Sequence, residues 1–289
     1  MHSQSNAKYW IPNLMTLTSL MLAVTAIMLA FNGSLTSAIW LAFLCMCLDR
    51  LDGIVARKLG ATSNFGMELD SLADLVAFGV TPAVMLFIVT STFSPHFNGN
   101  YKYIPMAVSA FWVYASALRL AKFNIIDQSG RFAQVFQGFP MPIAAGFILS
   151  PMLVLMKYFP VSGYGVKVYD PRLASVLSPS KGFHQHWGFT VLVVWAAFVA
   201  WTMISPIRVP KFGKPKIRWR RYYMAATLLM AYVLILGRAF PEWIAFTGFQ
   251  FFVVSMYFHF TASKEDRGEY FPITEVMSWK LVSRQEDKE

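Results

Sequence analysis

Charge is what this sequence has least of. Asp, Glu, Lys and Arg make up 14% of 289 residues, against about 25% in an ordinary soluble domain. That shortage excludes a disordered chain, which needs high charge and few apolar side chains. It also argues against a soluble globular enzyme. Cysteine is nearly absent: Cys45 and Cys47 lie together in one apolar run. They give no disulfide framework, and no CxxC or Cys/His cluster suggests zinc. No internal repeat, low-complexity tract or second domain stands out. His184 and His186 read as loop residues, because no third ligand or neighbouring acid accompanies them.

What the chain has instead is apolar length. Hydrophobic residues reach 56% and aromatics 16%, with a mean hydropathy of +0.47. A spanning helix needs about 20 mainly apolar residues. Eight runs qualify, at residues 12–31, 35–56, 67–91, 103–122, 140–158, 187–204, 222–240 and 242–262. The expected fold is an all-α polytopic membrane protein. The first run has a polar start (Asn13, Thr16, Thr18, Ser19) and no convincing small-residue cleavage site, so it reads as a retained helix rather than a signal peptide.

Formal net charge is +10, and its placement accounts for it without nucleic acid. With the N-terminus in the cytoplasm, cytoplasmic segments carry Lys8, Arg57, Lys58, Lys122, Arg131, the run from Arg208 to Arg221 and the tail lysines and arginines. The opposite side carries only Lys102, Lys157, Lys167, Arg172, Lys181 and Arg238. This asymmetry predicts both termini on the cytoplasmic side of the cell (inner) membrane. The all-basic run "RVPKFGKPKIRWRR" reads as a topology anchor near anionic lipid head groups.

Against this background one stretch is anomalous. Asp49, Asp52, Glu68, Asp70 and Asp74 fall within otherwise apolar sequence, where ionisable groups are expensive and mark function by default. At 100° per residue, Asp49, Asp52, Gly53, Ala56 and Arg57 occupy about 140° of one helix, and Gly66, Asp70 and Asp74 about 80° of the next. The intervening "KLGATSNFG" reads as a tight turn, so the two helices pack together and four aspartates converge. Glu68 points elsewhere. Carboxylates this close repel and call for cations. Hard oxygen donors without His or Cys suit Mg²⁺, Mn²⁺ or Ca²⁺. A pair of such ions would suit phosphoryl displacement. Gly53, Ala56 and Gly66 would leave room for a flat ligand, or serve helix packing. Two other readings of the acids stay open: ion pairs with Arg50, Arg57 or Arg119, and the ion path of a divalent-cation channel or carrier.

Asp49-x2-Asp52-Gly53-x2-Ala56-Arg57-x8-Gly66-x3-Asp70-x3-Asp74 resembles the signature of the CDP-alcohol phosphotransferase family at every fixed position. "IPNLMTLTSLMLA", "ELDSLADLVAFGVTPA", "ALRLAKFN", "GFPMPIAAG" and "MISPIRVPKF" look like the branch of that family that makes phosphatidylserine. The resemblance implies a six-helix core with about two additional C-terminal helices. It implies a catalytic membrane domain over residues 1–215, a helix pair over 216–262 and a cytoplasmic tail over 263–289. It further implies a homodimer and two divalent metal ions, Mg²⁺ or Mn²⁺. CDP-diacylglycerol would be the donor and L-serine the acceptor, with phosphatidylserine and CMP as products. Glycerol 3-phosphate, inositol phosphate and choline remain alternative acceptors.

Residue roles follow from the same resemblance. Asp49 and Asp70 would bridge both metals, with Asp52 completing one site and Asp74 the other. Asp74 would also be the general base. Asn13, Thr16, Gly53, Ala56, Arg57, Ser63 and Gly66 would line the CDP-donor site. For serine or phosphate, a guanidinium fork is the natural partner. Arg119 is the first candidate, with Lys122 and Asn124 behind it. Arg131, Arg208 and Lys211 are weaker still.

Overall fold

The computed structural model describes residues 7–61, 63–99, 101–128, 135–158, 183–210, 218–261 and 271–277. Helices dominate: α1 Ala7–Phe31, α2 Leu35–Leu59, α3 Asn64–Asp74, α4 Thr81–Phe93, a single turn α5 Pro95–Asn98, α6 Tyr103–Gln128, α7 Met141–Tyr158, α8 Phe183–Ile204, α9 Arg218–Leu236, α10 Pro241–Thr261 and a last turn α11 Ile273–Val276. The expected apolar runs fall on these helices, the run 67–91 across both α3 and α4. Among the described residues, six helices are long and apolar enough to cross a membrane. The protein is a multi-pass membrane protein. α2 and α9 are not among those six; α2 ends in Asp49, Arg50, Asp52, Arg57 and Lys58.

α3 and α4 form one continuous span, Asn64–Phe93, joined by a widened π-helical segment, Leu75–Val80. Its cause is legible in the chain. Pro82 has no N–H to give the carbonyl four residues back, that of Phe78. The Trp112 indole of α6 supplies the missing donor, with Nε1 3.1 Å from the Phe78 carbonyl oxygen. The Thr81 hydroxyl likewise donates to the Val76 carbonyl at 2.9 Å. The Phe78 carbonyl thus keeps a donor away from water, and the Val76 carbonyl accepts both the backbone N–H and the hydroxyl of Thr81.

The core runs through the centre of the bundle. Trp112, Phe43, Phe78, Phe139, Phe189 and Met141 are fully buried. α1 packs along α2, and α6 along α8. α10 lies on α7, where Phe139, Phe147, Trp195, Phe251 and Phe252 form a connected aromatic cluster. At the far ends of α7 and α10, Glu242 accepts from Tyr158 Oη at 2.8 Å and pairs with Lys157. The outward faces carry large apolar side chains such as Leu14, Met21 and Met28 on α1, and Phe249, Val253 and Phe260 on α10. Such a surface suits lipid rather than water.

Several boundaries differ from the sequence reading. The run expected to reach residue 240 stops at Leu236, because Arg238 and Phe240 adopt positive φ (49° and 46°) in the turn to α10. α6 runs to Gln128, beyond the apolar stretch that ends near residue 122. A two-stranded antiparallel ribbon was not expected. It pairs β1 Val135–Gln137 with β2 Arg208–Pro210, Val135 opposite Pro210. Gly138 makes the ribbon's exit possible. Its φ is 78°, and a Cβ there would stand 2.0 Å from the Met203 carbonyl oxygen. The segment Phe271–Met277 of the tail is packed in part: Phe271 and Val276 are buried against Ile126. The loop 159–182, Arg131, Lys211 and most of the tail lie outside the described residues, and the side chains of His184, His186 and Arg208 are not among those described.

Candidate active site

The joint between α2 and α3 sets the site. Gly60 closes α2 in the left-handed conformation (φ 56°, ψ 36°), its N–H turned back to the carbonyls of Ala56 and Arg57. The Ala61 N–H follows to the Ala56 carbonyl at 2.9 Å. This is the usual way a helix satisfies its last carbonyls. Three residues later Ser63 caps α3, its Oγ accepting from the Gly66 N–H at 3.0 Å. A serine in extended conformation is a favoured N-cap. One tight turn thus ends the first acidic helix and starts the second, bringing their acidic faces together.

Asp49, Asp70 and Asp74 each offer a carboxylate oxygen within 4.8 Å of the others. At an effective dielectric of about 20, each such like-charged pair costs about 3 kcal/mol. Among the described residues none of these acids forms an ion pair with Arg50, Arg57 or Arg119. The neighbouring guanidinium groups act on these acids through space, without a direct ion pair among the described residues. Three hard oxygen donors brought this close are what a divalent cation needs.

Asp52 stands beside this trio rather than in it. It is buried, and its Oδ2 accepts from Thr16 Oγ1 of α1 at 2.9 Å. Its charge still acts on Asp70. Arg57 lies back along α2, with a guanidinium nitrogen 3.4 Å from where a Gly53 Cβ would be, and its charge acts on Asp52. Glu68 is exposed, as its position on α3 predicts.

α1 meets the acidic pair through three polar residues at helical spacing. Asn13 Oδ1 sits over Gly66, 2.9 Å from a Cβ placed there, with Ser63 Oγ at 3.1 Å. Thr16 holds Asp52. Ser19 Oγ donates to the Cys45 carbonyl at 3.3 Å. Asn13, Ser63 and Gly66 are thus brought together, and Gly66 is small because Asn13 occupies its flank. Sequence reasoning placed Thr16 at the donor; its contact in the structure is with an aspartate. The spacing Asn13, Thr16, Ser19 was the available signal.

On the other side stands α6. Arg119 is 8% exposed, its Nε has no hydrogen-bond partner, and its charge acts on Asp74. Its guanidinium lies 5.7 Å from the Phe123 ring centre. A buried guanidinium with an unmet N–H is costly unless something completes it. Lys122 is also buried. Asn124 reaches α3 directly, with Nδ2 2.8 Å from Ser71 Oγ.

Comparison with known sequences agrees with this arrangement. Residues 9–178 match the CDP-alcohol phosphatidyltransferase family. The chain belongs to this family. It is 34% identical over 224 residues to a CDP-diacylglycerol–serine O-phosphatidyltransferase of Helicobacter pylori, covering 78% of this chain and 81% of the relative. A Bacillus subtilis protein of the same name is 34% identical over 71% of this chain and 92% of its own length. An archaetidylserine synthase of Methanothermobacter thermautotrophicus is 34% identical over 48% of this chain and 56% of its own. In this CDP-alcohol phosphatidyltransferase the acidic trio, Asp52 with Thr16, and Arg119 all face one end of the bundle. The ribbon joining "QGFP" to "SPIRVP" lies on the chain just before α7 and just after α8.

Proposed function

We propose that the protein transfers the phosphatidyl group of CDP-diacylglycerol to L-serine, giving phosphatidylserine and CMP. The observation that carries this reading is the convergence of Asp49, Asp70 and Asp74 with the unsatisfied Arg119 beside them. The names of the similar proteins support serine as acceptor.

The site belongs at the cytoplasmic face of the cell membrane, with both termini on that side, as the Lys and Arg distribution supports. The catalytic unit spans residues 1–215, with the helix pair and tail appended. Acyl chains would stay in lipid between the helices while the cytidine diphosphate enters the polar end. Asn13, Gly53, Ala56, Arg57, Ser63 and Gly66 border that entry and would receive the nucleotide and its phosphates.

The donor set fits two divalent ions, Mg²⁺ or Mn²⁺, held by Asp49, Asp70 and Asp74 with Asp52 alongside. When bound, they would neutralise the diphosphate and the oxygen left on CMP. Asp74 takes the proton of the serine hydroxyl. The serine oxygen then bonds to the lipid-side phosphorus as the bond from that phosphorus to the CMP oxygen breaks. Arg119 receives the serine carboxylate, filling its open N–H. Thr16 holds Asp52 in one orientation. The protein works as a homodimer in this reading, which chemical cross-linking in membranes checks.

The test is purified protein with CDP-diacylglycerol and a panel of alcohols, products identified by mass spectrometry. Serine should release CMP and form phosphatidylserine in equal amounts. CMP release that needs another alcohol and ignores serine would reject the acceptor. Metal flux into liposomes with no lipid product would favour a cation carrier instead.

A further inference from the structure

α6 extends past the apolar stretch by more than a turn, and its buried face extends with it. Arg119, Lys122 and Ile126 share that face at i, i+3 and i+7, and are 8%, 6% and 7% exposed. The first two are covered by the bundle. Ile126 belongs to a separate apolar cluster with Phe271 and Val276, which are 3% and 2% exposed. The cover over the last turns of α6 thus comes from the segment Phe271–Met277.

That segment is also tied to the ribbon. The Phe271 N–H donates to Gln137 Oε1 at 3.1 Å, and Gln137 pairs with Arg208 across the strands. From the other direction, Asn124 donates to Ser71, which lies between Asp70 and Asp74 on α3. A continuous line of contacts therefore runs from the tail, through the end of α6, to the acidic helix. The family match ends at residue 178, so the Phe271–Met277 segment lies outside it while its partners Ile126 and Gln137 lie within. A helix end with few tertiary contacts frays, and here Lys122 and Asn124 sit in the turns that would loosen.

We propose that Phe271, Val276 and Gln137 are positioning residues: the Phe271–Met277 segment straps the end of α6 to the ribbon and holds the acceptor side of the site in register. The proposal rests on the serine-accepting reading above. The strap acts chiefly on the acceptor side, because the donor contacts lie on α1, α2 and the first turn of α3, away from Ser71, where Asn124 meets that helix.

Full-length enzyme in detergent or nanodiscs tests it through separate KM values for the two substrates. Phe271→Asp should raise the serine KM about tenfold, within the roughly 10²-fold that a 1 Å misplacement far from the chemistry can cost. The KM for CDP-diacylglycerol should change by less than about twofold, because its contacts are untouched. Phe271→Leu should behave as wild type. A peptide of residues 268–279 added to the Phe271→Asp protein should lower the serine KM again. If Phe271→Asp does not fold, Phe271→Ala and Gln137→Ala carry the same comparison, with a smaller rise in serine KM. An unchanged serine KM, or equal rises for both substrates, overturns the strap. A wild-type enzyme that ignores serine refutes the parent reading instead, so the two failures are distinct.

Discussion

In the proposed reaction Asp74 takes the serine proton, and its surroundings suit that role. It lies at the end of α3, one oxygen close to Asp49 and Asp70, with the charge of Arg119 acting on it from α6. Asp74→Asn keeps the shape and removes the proton acceptor. CMP release should fall by about 10²–10⁴-fold, the range for loss of a general base, while donor binding measured by equilibrium dialysis persists. Thr16 makes a different prediction. Its hydroxyl fixes Asp52, and loss of such an outer partner typically weakens metal affinity by about 10–100-fold. Thr16→Val should show that loss in a Mn²⁺ titration followed by electron paramagnetic resonance, and Thr16→Ser should restore it. The four aspartates were legible in the sequence, because apolar surroundings make an acid conspicuous. Thr16 was visible as a polar residue in α1 but not as the partner of Asp52. That contact spans 36 positions in the chain, and helical spacing on one helix says nothing about which residue faces it on another.

At the scale of elements, the junction between α3 and α4 places Asp74 relative to α6. The widened turn follows directly after Asp74, and Trp112 satisfies the carbonyl that Pro82 leaves open. Trp112→Phe keeps the aromatic bulk but strands that buried carbonyl, a loss of about 1–3 kcal/mol. It should appear as a lower unfolding temperature in detergent. Gly138→Ala has a harsher outcome in store, because the added Cβ meets the Met203 carbonyl and the backbone there is left-handed. Loss of more than about 1 kcal/mol is expected at such a position, with the ribbon displaced. The helices themselves were readable from apolar length alone. The π segment and the ribbon were not: the first depends on a donor from another helix, and the second joins strands more than 70 positions apart, from Gln137 to Arg208.

At the scale of the whole molecule, the fold separates an apolar exterior from one polar end. The sequence reading of eight apolar runs and a basic, acid-poor flank already implied that separation. It could not show that the tail returns to the end of α6, since "FPITEV" carries no periodic signal beyond a few apolar residues. In the proposed reaction these carboxylates hold divalent ions for a nucleotide-lipid to be attacked by serine. The most direct test is enzyme stripped with EDTA, supplied with CDP-diacylglycerol and serine, and titrated with Mn²⁺ or Mg²⁺ while phosphatidylserine and CMP are both measured. The expected result is no turnover without metal, recovery of both products in equal amounts as metal is added, and no recovery in Asp70→Asn. Undiminished phosphatidylserine formation in metal-free buffer would contradict it.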